Sequence, residues 1–333
     1  MNKTVLAVLI VLGAGAGAAG VLVTTGELQL PQLGQSEPVT APAAKAPAPA
    51  AQADDSAYQA FDQGQYLTAL SLAESQAALG DPQAHTLVAR IYEGGLGVAK
   101  DEITAARWYA RAVQLGDVPA MLAYGNMLAE GRGVGKDRVA AAEMYEKAAA
   151  TGDPLANYNL GLLFLKGDGK PENPYRAAKH IQYAAEKGIA QAQYDLAALY
   201  QKGTGVDFDA LEAAQWMSKA AAQGLLAAQY DYSVMLLRGF GLKNDENKAI
   251  PLLRTAAEKG VPGAQNRLAW VFHDGVGGIQ KNAGEAAKWR LIAKAGGIAD
   301  EKLDLLVDAL PDSEKKAAQK AAQEWQDKRL SLR

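Results

Sequence analysis

Residues 156–188 read ANYNLGLLFLKGDGKPENPYRAAKHIQYAAEKG, and this stretch decides the fold because its landmarks recur elsewhere at a constant step. Its closing glycine belongs to a series at Gly80, Gly116, Gly152, Gly188, Gly224, Gly260 and Gly296, each 36 residues from the next. The internal G-x-G repeats in the same register, at Gly95/Gly97, Gly131/Gly133, Gly167/Gly169, Gly203/Gly205, Gly239/Gly241 and Gly275/Gly277. So does an alanine, at Ala84, Ala120, Ala156, Ala192, Ala228 and Ala264. Six copies in unbroken phase are the mark of a solenoid, in which each unit buries its apolar face only by stacking on its neighbours.

Within a copy, apolar residues at helical spacing, such as Ala192, Leu196, Leu199 and Tyr200, predict a first helix running from the recurrent alanine to the G-x-G. There a glycine supplies the left-handed C-cap that a side chain would penalise. Asp101, Asp137, Asn173, Asp209 and Asp245 follow at a fixed distance as N-caps of a second helix, with Lys281 at that phase in the sixth copy. Pro174 after Asn173 suits the first helical position. The second helix carries paired small residues, as in Ala148-Ala149 and Ala220-Ala221, that let helices approach closely, and it stops at the next glycine.

The units EGRGVGKDRVAAAEMYEKAAATGDP (130–154) and 156–188 resemble Sel1-like repeats, the tetratricopeptide-related family with a glycine-rich turn inside its hairpin. The resemblance covers about residues 84–299, and AYQAFDQGQYLTALSLAESQAALG (57–80) resembles a plain tetratricopeptide unit. It implies an all-α fold: a right-handed α/α superhelical solenoid of six 36-residue repeats with a leading hairpin and a C-terminal helical cap. Three departures stand out. Pro251 should delay or kink the second helix of the fifth repeat, His180 stands where Trp108 and Trp216 do, and the sixth repeat shifts its tryptophan by one, to Trp289. After residue 299 the period is lost and the chain becomes highly charged, as an end cap should.

Near the amino terminus, VLAVLIVLGAGAGAAGVLV contains a literal G-x-G-x-x-G at Gly15, Gly17 and Gly20. A dinucleotide site would need an amphipathic helix and a later acidic residue, whereas a Pro/Ala tract follows. The 20 uncharged residues from Thr4 to Val23 read instead as a membrane-crossing helix, preceded by Lys3 and followed by Glu27, which would keep the start cytoplasmic. Gly13 and Gly17 then form a G-x-x-x-G through which two such helices could dimerise. The alternative is a secretory signal cut near Ala14-Gly15-Ala16 or Ala16-Gly17-Ala18. The expected organisation is residues 1–26 as anchor or signal, 27–55 as Pro/Ala-rich disordered linker, 56–299 as solenoid and 300–333 as capping helices. The expected location is the inner membrane, single-pass, with the repeats in the periplasm, or a soluble periplasmic form after cleavage.

The net charge of −3 holds no basic excess for nucleic acid, and the absence of cysteine excludes disulfides and thiolate chemistry. The cysteine-rich relatives linked to β-lactam chemistry are thus a poor match. His85, His180 and His273 fall at different phases of different copies, too dispersed to share a metal ion. No Gly-Lys-Ser/Thr follows any G-x-G, and neither G-x-S-x-G nor H-E-x-x-H occurs. No enzyme activity, metal or cofactor is expected.

In the resembling superfamily the first helices line the concave side. Positions two, six and nine after the recurrent alanine share one stripe there. The stripe is polar at its ends, with Thr86, Arg90, Glu93 and Asn126 at one end and Asn266 and His273 at the other. Its middle holds Tyr158, Leu162, Tyr194, Tyr230 and Val234, with Trp270 beyond and Asp195 and Asp231 beside the tyrosines. These eight are the candidate partner-binding groove, since tyrosine combines contact area with a hydroxyl. The competing reading is that the tyrosines pack between repeats, and the aspartates either confer polar specificity or are merely solvated. The expected function is an exported, membrane-tethered scaffold or regulator that binds a protein partner in the bacterial envelope; the alternative is an accessory or enzyme-like factor handling envelope polysaccharide or peptidoglycan.

Overall fold

A computed structural model describes residues 55–331, in which sixteen helices and no strand occur. The leading hairpin is α1 (Ser56–Asp62) and α2 (Tyr66–Ala78). Six helical pairs follow: α3 (Pro82–Gly94) with α4 (Glu102–Gln114), α5 (Val118–Glu130) with α6 (Arg138–Ala150), and α7 (Pro154–Lys166) with α8 (Pro174–Glu186). The others are α9 (Ala190–Lys202) with α10 (Ala210–Ala222), α11 (Leu226–Arg238) with α12 (Glu246–Glu258), and α13 (Pro262–Asp274) with α14 (Ala283–Ala295). Short α15 (Glu301–Asp308) and long α16 (Asp312–Leu330) close the chain. From α1 to α15 each helix packs on its neighbours in sequence and α16 packs back on α14, giving the expected all-α solenoid of six repeats.

The core is built from small residues. The recurrent alanines are at most 1% exposed, and Gly125 and Gly161 sit so close to Tyr145 and Ile181 of the paired helix that a Cβ would collide with them. The first helices begin two residues before the recurrent alanine; Asp81, Asp117 and Asp153 cap α3, α5 and α7, whereas α9, α11 and α13 start at the same register behind Ile189, Leu225 and Val261 with no side-chain cap. The second helices start where expected in five repeats, with Asp101, Asp137, Asn173, Asp209 and Asp245 each accepting backbone N–H bonds.

Both glycines of each G-x-G have positive φ, but they serve different ends. The first is the C-cap. The second lies on the backbone of the preceding repeat: a Cβ at Gly133, Gly169, Gly205 or Gly241 would run into the carbonyl of Glu102, Arg138, Pro174 or Ala210, the first residue of the preceding second helix. Close stacking of one hairpin on the last therefore forbids any side chain there.

Two expectations are corrected. Pro251 neither delays nor shortens α12, which has 13 residues like its counterparts. The Asp245 cap and burial of Ala249, Ile250 and Leu253 around the proline outweigh the loss of one backbone donor. In the sixth repeat the N-cap is Asn282, not Lys281, and the positive φ falls at Gly297 while Gly296 has φ −80°. One extra residue in the turn, where Gly278 adopts φ +73°, moves α14 along by one and accounts for the shifted Trp289.

The expected inner-membrane placement is also overturned: among the described residues no helix is long and apolar enough to cross a membrane. The 13-residue repeat helices span only about 20 Å, short of a ~30 Å hydrocarbon core, and α16 is dense with charge. The segment 4–23 proposed as anchor or signal, and the Gly13/Gly17 dimer contact, lie outside the described residues.

Candidate functional site

The stripe is assembled from four successive first helices. Tyr158 and Leu162 lie on α7, Tyr194 and Asp195 on α9, Tyr230, Asp231 and Val234 on α11, and Trp270 on α13; all eight are half-buried. Tyr158, Leu162 and Tyr194 lean on the core around Leu196 and Met217, while Tyr230 and Trp270 lean on that around Leu268. The rings thus have one face packed and retain some access to solvent, which places them between the binding and the packing readings.

The aspartates are neither free specificity groups nor simply solvated. The Tyr158 hydroxyl donates to Asp195 Oδ2 at 2.7 Å, and the Tyr194 hydroxyl donates to Asp231 Oδ2 at 2.7 Å. Each bond ties a tyrosine to the first helix of the next repeat. Burial, then the bond to Asp231, pushes the Tyr194 hydroxyl up to about 12, and burial, then the bond to Asp195, raises Tyr158 further. Both therefore remain neutral donors at physiological pH. Burial raises the Asp231 carboxyl above the usual carboxylate range, opposed by the bond from Tyr194. At Tyr230 the pattern stops: its ring lies against Gly263, and no described residue receives its hydroxyl.

At either end the stripe is occupied by other contacts. Glu93 accepts from the Tyr109 hydroxyl and from Arg132 Nη1, both at 2.8 Å, and Asn126 Oδ1 accepts from the Tyr145 hydroxyl at 2.7 Å. Beyond Tyr230, Trp270 Nε1 and Asn266 Nδ2 both donate to Asp300 Oδ2 at 2.8 Å. Asp300 is the N-cap of α15, so Trp270 is tied into the C-terminal cap. The same cap buries Arg290 at 1% exposure, forked onto both carboxylate oxygens of Asp304 and bonded to Asn266 Oδ1.

The histidines are separate. His85 Nδ1 meets the Asp81 carbonyl, His180 Nδ1 meets Asn157 Oδ1 while its ring stacks on Phe164, and His273 faces Asp274. Burial, then Arg176, lowers the His180 pKa. Among the described residues no three histidine, cysteine or carboxylate side chains gather to hold a metal.

Two features escaped the sequence reading. A cavity of about 300 Å³ lies where α16 meets α13 and α14, lined by Pro262, Gln265, Ile292, Trp325 and Arg329, remote in sequence from the tyrosines. In addition Leu67, Ile103, Val139, Tyr175 and Leu211, at the start of the second helix of the leading hairpin and of the first four repeats, are all more than half exposed. Their 36-residue step was visible in the sequence, but no periodic pattern distinguishes an exposed apolar row from a buried one.

A family model described as Sel1 repeat matches residues 73–117, 118–153, 154–189, 190–225, 226–261 and 262–297. Among solved structures, a Sel1 repeat protein from Oxalobacter formigenes is 28% identical, with a TM-score of 0.65 over 72% of this chain and 98% of its own. A protective antigen present in uropathogenic Escherichia coli strains, displaying the SLR fold, is 25% identical with a TM-score of 0.55, over 78% of this chain and 64% of its own. A comparison with curated proteins yields no match.

Proposed function

The chain belongs to the Sel1 repeat family, whose members generally mediate protein–protein interactions, and from that premise we propose that it is a scaffold or regulator gripping a protein partner along the stripe from Tyr158 to Val234. The observation that carries this reading is the pair of inter-repeat bonds, Tyr158 to Asp195 and Tyr194 to Asp231. They hold half-buried rings in one orientation before any partner arrives. Association is weakened by the entropy of ordering side chains, roughly 0.5–1.5 kcal/mol for each one immobilised, so a surface ordered in advance binds more tightly for the same contact area. Aromatic side chains set among apolar neighbours such as Leu162 and Val234 are also the type on which interface energy concentrates. On this reading the tyrosines both join the repeats and receive the partner, and no catalytic step is assigned.

The test is site-specific photocrosslinking in cells of origin, with the photoreactive residue at Ala198, one turn after Tyr194 on the stripe, or at exposed Gln215 on α10. One discrete protein crosslinked from Ala198 and not from Gln215 is expected. Crosslinks only from Gln215, or none from the stripe, would reject the surface.

A further inference from the structure

The end of the tyrosine series points to the chemistry that the stripe recognises. Asp195 and Asp231 occupy one register position, 36 residues apart, and each receives the hydroxyl of the tyrosine one repeat earlier. The next position in that register is Arg267. The series Tyr158–Asp195, Tyr194–Asp231 therefore continues as Tyr230–Arg267, with a donor at the position where the earlier pairs have an acceptor. An arginine cannot accept a hydrogen bond, and the Tyr230 hydroxyl has no partner among the described residues. Half-buried Arg267 likewise forms no ion pair among them, although its guanidinium carries five donors.

The two groups share one strip. The Tyr230 ring rests on Gly263, where a Cβ would meet Cε1, Cζ and the hydroxyl oxygen at 3.1–3.2 Å. Gly263 and Arg267 are four residues apart on α13 and so lie on the same helix face. One turn of helix separates the ring's seat from the guanidinium's backbone. The chain thus presents a phenol donor and a guanidinium where the two preceding repeats supply their own carboxylate.

We propose that Tyr230 and Arg267 together bind a carboxylate presented by the protein partner, an Asp or Glu side chain that takes the place of the missing aspartate. The inference rests on the stripe being the docking surface. Charge complementarity selects the occupant: the guanidinium fork matches a carboxylate in two parallel hydrogen bonds, and the phenol adds a third donor. The neighbouring carboxylate, Asp231, is already engaged by Tyr194, which directs an incoming acid to the Arg267 side. The apolar flank, Val234 one turn along α11 from Tyr230, calls for an aliphatic or aromatic residue beside that acid. The ligand is therefore an acidic residue in an otherwise apolar segment.

The experiment selects a displayed library of random dodecapeptides on the full chain and on its Arg267→Asp, Tyr230→Phe and Tyr194→Ala variants. Selected sequences are then measured as fluorescein-labelled peptides. Peptides enriched in Asp or Glu next to an apolar residue are expected. Their affinity should fall at least about tenfold with Arg267→Asp, the range for loss of a bond between charged groups, and about threefold to tenfold with Tyr230→Phe, the range for a single partly solvated hydrogen bond. Arg267→Asp restores the register residue of the two preceding repeats, so its melting temperature should hold or rise, separating lost binding from misfolding. Peptides without acidic enrichment, or acidic peptides that bind Arg267→Asp equally well, would overturn the inference. If such peptides still lose affinity with Tyr194→Ala, the stripe survives as the docking surface; if none responds to Tyr194→Ala, or no peptide is enriched, the stripe falls as well.

Discussion

Replacing Tyr194 by Phe removes one oxygen from the bond that joins the fourth repeat to the fifth. The ring keeps its place against the core, so the loss is confined to the hydrogen bond and to Asp231, left without its donor. Bonds to charged acceptors contribute roughly 1.5–3 kcal/mol, and water reaching half-buried Asp231 recovers part of that, leaving an expected cost of about 1–2 kcal/mol at neutral pH. Tyr194→Ala also removes the packed ring face and should cost about 2–3 kcal/mol, below the range for a fully buried aromatic. Because stability in a repeat array depends on nearest-neighbour interfaces, the loss should appear as a broader urea transition as well as a lower midpoint.

The pH dependence makes this specific. The folded-state pKa of Asp231 is raised by burial, so the native state binds its proton more readily than the unfolded chain does. That carboxylate therefore disfavours folding increasingly as pH rises from the usual carboxylate range through its folded pKa, and the Tyr194 bond offsets this. Once Asp231 is protonated in acid, the bond is no longer charge-assisted and the Phe variant should approach the parent. At the alkaline end, Tyr194 in the folded chain holds its proton up to about 12 against 10 in the unfolded one. The stabilisation linked to its proton is complete below 10 and is lost as pH rises toward 12; other buried tyrosines such as Tyr158 add the same kind of decline, so the Phe variant should show a shallower one than the parent. The measurement is urea unfolding of parent and variants from acid to alkaline pH. A difference between parent and Phe variant that stays constant with pH, or a Phe variant as unstable as the Ala variant, would refute the inter-repeat bond.

Further predictions concern the frame. Gly205→Ala, which would drive a Cβ into the Pro174 carbonyl, should cost about 2–4 kcal/mol, whereas Gly224→Ala, with positive φ but open space, should cost about 1 kcal/mol; equal melting shifts would refute the close approach of adjacent hairpins. Asn282→Ala should lower stability by ~1 kcal/mol and Lys281→Ala by almost nothing, and the reverse order in thermal melts would restore the uninterrupted register. Arg290→Met should destabilise the C-terminal cap by about 3 kcal/mol by leaving Asp304 without its fork, seen as faster amide exchange in α15; unchanged exchange would place the stability of the cap elsewhere.

The repeat count, the helical pairs and most caps are legible in the sequence because they are local. A helix needs its polar cap, its left-handed glycine and its apolar spacing within a few residues, and each recurs every 36 positions, so Asp101, Asp137 and Gly203 announce themselves. What the sequence left open depends on the next repeat. The second glycine at Gly133, Gly169, Gly205 and Gly241 is required by a carbonyl some 30 positions earlier, and the place of the extra residue that shifts Trp289, in the turn at Gly278, becomes visible only when the helices are laid in register. The proline in α12 is tolerated because its neighbours are buried on both sides, which propensity cannot report. The stripe shows the division most clearly. Its residues could be read from helical spacing, but whether Asp195 and Asp231 face solvent, and whether Trp270 is free, could not. Stacking brings a tyrosine hydroxyl to the aspartate 37 residues on, and the C-terminal cap turns the Trp270 indole toward Asp300. Side chains on the first helices find partners across the gap between repeats, and the width and stagger of that gap are set by packing, not by any one repeat's own residues.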